Sequence, residues 1–366
     1  MRRFEQNVLD CTFTTLSLVS LLAETLQQEL NLEDISSRLR QKPSPCLENA
    51  ESTTESAGES SAENDLRQRK LAAWHDLKIG CYTRAISALY SLTLLHLFTH
   101  IQLSLIAREY YLKSCTFPAL SMQEYGHEVV IKSSSSLSLD KDEEKDMLMA
   151  EREFLGLVYY ALHQGARLGM KKVKDAVEKV LWDIPLKQSM SHADLIQQVQ
   201  EIRVYIEQDD LWWLDWVLPK TEEDMADALT HAGLSSTFTT QDHSCMRPKL
   251  REWVDETRDF MESDDFGQVV QTCLSTAFDQ MLVDLKYPTF QETTPMTRMV
   301  DEERGGVGWS ERRVPFAVLF PVLTRHSMRI LHQQPNPYLE ALNHGPELRA
   351  FAAIVYSSYN VDPIQT

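Results

Sequence analysis

Residues 70–112 read KLAAWHDLKIGCYTRAISALYSLTLLHLFTHIQLSLIAREYYL, the longest apolar run in the chain, and from Ala85 to Ala107 no residue carries a formal charge. A run of about 20 apolar residues is also the length that spans a bilayer, so the fold turns on what surrounds this helix. Ser87, Ser91, Thr93, His96, Thr99, His100, Gln102 and Ser104 interrupt it, and each would need a partner in hydrocarbon. A helix apolar on nearly every side but dotted with small polar groups suits the centre of a bundle. The core-helix reading therefore outweighs the membrane span. Just ahead stands Trp74, on a short segment that also holds Lys70, Leu71 and Leu77.

Composition agrees with burial. Across 366 residues, hydrophobic types make up 43% and charged types 25%, ordinary for a globular chain. That length allows one large helical unit or two smaller ones. The net charge of −18, from 36 basic and 54 acidic residues, argues against a nucleic-acid binder, which needs a basic stripe, and against adsorption to anionic lipid. With 12 Gly, 14 Pro and no long β-branched alternation, there is little room for a sheet. The six cysteines (Cys11, Cys46, Cys81, Cys115, Cys245 and Cys273) form no CxxC pair and no metal-like spacing. Without a signal-peptide pattern or an Asn-x-Ser/Thr acceptor, an intracellular, reducing location is expected.

Outward from the central run, apolar spacing predicts more helices. Leu16, Val19, Leu22 and Leu26 share a face of one that stops near Asn31, and LEDISSRLR (32–40) follows as a second, short one. The central helix is expected from Leu66 or Leu71 to Leu112, with a bend near Gly80. Residues 147–182 read as one long helix with Phe154, Val158, Ala161, Gly165 and Leu168 on one side, ended by Pro185. Ser191 and Asp194 resemble a capping box for a helix that turns Leu195, Val199, Ile202 and Ile206 inward. Pro321 is expected to kink or split the apolar stretch 314–334. Residues 42–65, 127–146 and 288–312, rich in Ser, Glu, Asp, Pro or Gly, are expected to be disordered loops. No period of about 20–50 residues repeats. The expected fold is all-α: an elongated bundle of long helices around one central core helix, a single helical domain over residues 1–366.

Chemistry-bearing patterns are weak. His96 and His100 have the i, i+4 spacing of a two-histidine metal pair, but no glutamate follows His96 as in HExxH, and satisfied core histidines are the better reading. There is no GxSxG elbow. GGVG at 305–308 is not followed by Lys-Ser/Thr, so it is no phosphate loop. Asp209-Asp210 and Asp264-Asp265 sit where helix starts favour negative charge. No catalytic residue, metal or cofactor is expected. Trp212, Trp213 and Trp216 are packing between helices, or else a second partner surface or a membrane-proximal contact.

WHDLKI (74–79), followed by YTRAISALYS (82–91) and HIQLSLIAREYYL (100–112), resembles the peroxin-3 family. CTFTTLSLVSLLAETL (11–26), AVEKVLWDIPLKQSMSHADLIQQVQEIRVYIE (176–207) and DETRDFMESDDFGQVVQTCLSTAF (255–278) extend the resemblance in the same order. It covers most of the chain from Arg2 to about Tyr359. The resemblance implies a docking receptor at the cytosolic face of the peroxisomal membrane, required for membrane-protein insertion and peroxisome biogenesis. Its partner would be an amphipathic helix from the N-terminal part of the import chaperone peroxin-19. It also permits an adaptor that tethers organelle inheritance or turnover factors. Trp74 would wall an apolar groove with Leu71 and Leu77, three residues to either side. Lys70 and Lys78 would flank that face and meet acidic rim residues of the partner. Leu39 would supply the opposite wall. Val318 departs from the family pattern, standing where a vertebrate relative has a lysine. The membrane anchor of the family, whose following region RRFEQNVLDC matches, is expected to be missing here, leaving a soluble chain.

Overall fold

The uncharged run lies within a helix of 66 residues, on the order of 100 Å long at 1.5 Å per residue. The computed structural model describes residues 2–40, 58–123, 141–234, 247–290 and 312–358. In chain order the helices are α1 (Arg2–Glu29), α2 (Leu32–Arg40), α3 (Gly58–Gln123), α4 (Lys141–Gly156) and α5 (Val158–Tyr160), then a π-turn (Ala161–Gly165) leading into α6 (Ala166–Leu181). They continue as α7 (His192–Ile206), α8 (Leu214–Val217), α9 (Glu222–His231), α10 (Pro248–Glu262), α11 (Asp264–Phe290), α12 (Leu319–His332), α13 (Pro337–His344) and α14 (Pro346–Ser357). Two short strands, β1 (Ser189–Met190) and β2 (Val314–Pro315), pair antiparallel with Met190 opposite Val314. The fold is all-α.

α3 is the axis. Helices α1, α2, α6, α11, α12 and α14 all pack against it, and every residue from Leu77 to Gln102 except Ser91 is buried. Phe4–Glu29 and Arg67–Ser114 are both long and apolar enough to cross a membrane, yet 89% of the apolar window in the second is buried inside the protein. Its apolar surface meets other helices. Most of its polar groups find partners: Gln102 Nε2 donates to the Phe154 carbonyl (2.6 Å), Ser104 Oγ accepts from Asn7 Nδ2 (3.2 Å) and Thr99 Oγ1 donates to the Leu95 carbonyl (2.8 Å).

Several boundaries differ from expectation. α3 runs unbroken through Gly80 and starts at Gly58, while α4 starts at Lys141 and α11 reaches Phe290. Phe290 is buried with its ring 5.5 Å from that of His192, which holds the last turn of α11. Residues 42–57, 127–140 and 291–311, the remainder of the stretches expected to be disordered, lie outside the described residues. Pro321 falls in the first turn of α12, where a missing N–H breaks nothing; a 3₁₀ turn (Phe316–Val318) precedes it.

The helix expected over 147–182 is interrupted at Leu157, between α4 and α5, and again by the π-turn. Its wide turn rotates the following residues, so Gly165 and Gly169 continue the buried line and Leu168 is exposed. Those glycines admit Trp216: a Cβ at Gly165 would lie 1.9 Å from the Trp216 carbonyl oxygen, and one at Gly169 2.7 Å from its indole. Trp212, Trp213 and Trp216 are buried, and Tyr90 sits edge-on to two of them at 5.2 and 5.8 Å. The tryptophan patch is core packing. Gly165→Ala is expected to destabilise the protein by about 2–3 kcal/mol, because rigid backbone must move to admit the methyl; a urea midpoint equal to wild type would refute this placement.

The capping box is present. Ser191 Oγ accepts from the Asp194 amide (3.2 Å) and Asp194 Oδ2 accepts from the Ser191 amide (2.9 Å). The bond that the carboxylate accepts from the Ser191 amide holds the Asp194 carboxyl below its ordinary pKa. Behind the cap, Leu195, Val199, Ile202 and Ile206 are all buried.

Candidate docking groove

Where the N-terminal part of α3 emerges from the bundle, α2 lies on one side of it and α12 closes a furrow of about 880 Å³. Leu32 and Leu39 of α2, Trp74 and Leu77 of α3, and Phe320 and Met328 of α12 supply its apolar lining. Trp74 is 37% exposed, and its ring centroid is 6.5 Å from that of Phe320. The indole leans on the furrow wall and keeps an open face.

α2 is seated by two contacts. Asn31, expected as a helix stop, also accepts from the Asp34 amide (3.0 Å) and caps α2. Gly80 lets the helix approach α3, since a Cβ there would lie 2.5 Å from Leu32 Cδ2. That close approach is what the glycine provides in place of a bend.

A buried cation ties the two walls together. Arg84 is 1% exposed, and its Nη1 donates to both carboxylate oxygens of Glu33 on α2 (3.0 and 3.1 Å). Its Nε donates to Ser327 Oγ (3.1 Å) and its Nη2 to the Thr324 carbonyl (3.5 Å), both on α12. A guanidinium supplies donors in a fixed fork, which suits it to cross-linking elements. Sequence reading passed over Arg84; its one signal is that it is the sole formal charge between Lys78 and Arg108, and its partners lie far away in sequence.

The sequence-predicted residues divide. Trp74, Leu77 and Leu39 meet in the furrow. Leu71 lies on the other side of the α3 stem, lining a separate furrow, because residues three before and three after Trp74 diverge around the helix. Lys70 is exposed on the stem. Lys78 is turned inward, which corrects its expected place at the rim. It is 2% exposed, and its Nζ donates to the carbonyls of Leu181 (2.7 Å), Trp182 (3.1 Å) and Ile184 (3.2 Å). Its three donors match three acceptors at the carbonyl end of α6, where a cation is favoured. Burial lowers its pKa, and the nearby Asp183 partly opposes this. Val318 is exposed, next to the furrow residue Ala317.

His96 and His100 are core residues. His96 shares Nδ1 with the Thr15 hydroxyl (3.0 Å) and Nε2 with Asn343 Oδ1 (2.9 Å), and the His100 ring stands edge-on to it at 4.6 Å. Among the described residues, no group of three or more His, Cys, Asp or Glu is placed to hold a metal. What the furrow offers is apolar area, an aromatic anchor and a held spacing between its walls, the equipment for gripping a helix.

A family model described as Peroxin-3 matches residues 1–68 and 44–358. The chain is similar to the "Peroxisomal biogenesis factor 3" of Rattus norvegicus, 26% identical over 367 residues covering 98% of this chain and 83% of that protein. It is 25% identical over 368 residues to the protein of the same name from Homo sapiens, with the same coverage. With the "Peroxisomal membrane protein PEX3" of Komagataella pastoris it shares 24% identity over 412 residues, covering 98% of this chain and 88% of that protein.

Proposed function

The chain belongs to the Peroxin-3 family, and on that premise we propose that its Trp74 furrow is the docking site for an amphipathic helix from the N-terminal part of peroxin-19. Its relatives are named as peroxisomal biogenesis factors and a peroxisomal membrane protein, and this chain works at the peroxisomal membrane in peroxisome biogenesis. Docking the chaperone there brings newly made membrane proteins to their target bilayer. The described helices gather on α3, which supports reading the chain as one helical domain that presents the furrow. Burial of a guest helix supplies the free energy, and no bond needs to be made or broken.

One observation carries this reading. Trp74 holds an indole half open in an apolar furrow whose walls are tied by Arg84. A large, rigid aromatic in a preformed pocket is the type of residue that dominates interface energy. Trp74→Ala is expected to weaken binding of a peroxin-19 N-terminal peptide by at least about 30-fold, roughly 2 kcal/mol, with helicity by circular dichroism unchanged. Calorimetric titration decides it. Equal affinities for mutant and wild type would remove Trp74 from the site.

A further inference from the structure

The N-terminal stem of α3 has a furrow on each side, with α2 as the wall between them. The second furrow, about 770 Å³, lies between α2, residues 68–80 of α3 and the end of α6. Ile35 and Ile79 contribute to its apolar lining, and Leu71 and Trp182 stand at its flanks. Leu71 is 64% exposed and Trp182 61% exposed, so this furrow shows water more of its large apolar side chains than the Trp74 furrow does.

Trp182 is held in position. His75 meets its ring edge-on at 4.4 Å, and Lys78 Nζ binds the carbonyl of Trp182 itself together with those of Leu181 and Ile184. The backbone carrying the indole is thereby fixed to α3 by a buried cation. An aromatic fixed beforehand costs little entropy when a partner covers it.

Charge states what that partner carries. Among the described residues, the carboxylates of Glu29, Asp76 and Glu178 line the furrow against the ammonium of Lys174. Lys174 and Glu178 are 3.8 Å apart, and Glu29 meets Arg167 at 2.7 Å, all four substantially exposed. Exposed pairs of this kind are weak, so an incoming cation competes for them readily. The Trp74 furrow is different. Its lining carboxylate, Glu33, is bound by Arg84, and the other charge on its lining is Arg325.

We propose that the second furrow docks an amphipathic helix whose apolar face is flanked by basic residues, at a site separate from the Trp74 furrow. The apolar face covers Trp182 and Leu71, and the basic flanks meet Asp76, Glu178 and Glu29.

The test uses the full chain and two synthetic helices of about 18 residues, roughly 27 Å long. Both carry leucines at i, i+3, i+7 and i+11; one has lysines along the flanks and the other glutamates. Calorimetry is expected to show saturable binding of the lysine probe, weakened at least about tenfold by Trp182→Ala. Asp76→Lys is expected to reverse the preference between the probes, and Trp74→Ala to change lysine-probe affinity by less than about twofold, as for a residue outside the contact. Since Trp182 and Asp76 are exposed, both variants should melt as wild type does. No saturable binding, equal affinity for the two probes, or the same loss from Trp74→Ala as from Trp182→Ala would each overturn the proposal.

Discussion

Between pH 7 and pH 5 the protein is expected to lose about 4 kcal/mol of stability through His96 and His326 alone, at 1.36 kcal/mol per unit of pKa difference. Burial pushes each imidazole from its ordinary 6.5 down to about 4. Hydrogen bonding to Asn343 partly opposes this at His96, as the charge of Asp284 does at His326. Both rings are therefore neutral in the folded chain at pH 5 and largely protonated once it unfolds. The unfolded state binds more protons throughout the window, so stability is fully present above about 6.5 and declines as pH falls toward 4. His100 acts in the same direction: burial and the neighbouring His96 hold its pKa well below 6.5. Asp194 does not contribute in this window, because its carboxyl lies below the ordinary 3.8 and is ionised in both states. Urea titrations at the two pH values measure the loss, and His326→Gln is expected to reduce it by about 2 kcal/mol. Identical midpoints at pH 7 and pH 5 would show that these histidines are not buried as described.

Arg84→Met has the other large effect, an expected loss of about 2 kcal/mol of stability, the range for deleting hydrogen bonds from a charged donor, since the Glu33 carboxylate left behind is half exposed and keeps water. Methionine approximates the volume of the side chain but supplies none of its donors. Glu33, Ser327 Oγ and the Thr324 carbonyl all lose a partner, and α2 is released from α12. The peroxin-19 peptide is expected to bind more weakly than the stability loss explains, because a wider furrow no longer fits one helix. Arg84→Lys restores a charge but not the fork. It is expected to recover part of the stability and little of the affinity. Wild-type affinity in folded Arg84→Met would separate the cross-tie from docking.

The fold was legible where periodicity is decisive. The uncharged run could be read as a core helix because its polar residues were too many for lipid, and burial from Leu77 to Gln102 follows. The capping box and the inward face of α7 could be read because both are local. What escaped depends on residues far apart in the chain. Nothing near Lys78 announces that the end of α6 lies beneath it, so the family resemblance alone, which makes Trp74 a groove wall, set Lys78 at the rim. The π-turn was hidden for another reason: one surplus residue leaves composition untouched while rotating every later side chain, which put Leu168 outside and Gly169 against Trp216. For the proposed groove, Trp74, Leu77 and Leu39 line one furrow, whereas placing Leu71 required knowing which way each flank of the α3 stem faces.

The Trp74 furrow takes its lining from three separate parts of the chain: α2, the stem of α3, and α12 with the turn before it. During synthesis the first two leave the ribosome long before the third, and Arg84 waits for two of its acceptors until Ser327 and Thr324 arrive. A nascent polypeptide that ends short of α12 therefore has an indole but no clasp. If the furrow docks a helix as proposed, competence is acquired late, and capture of such a guest would report that the molecule has finished closing on itself.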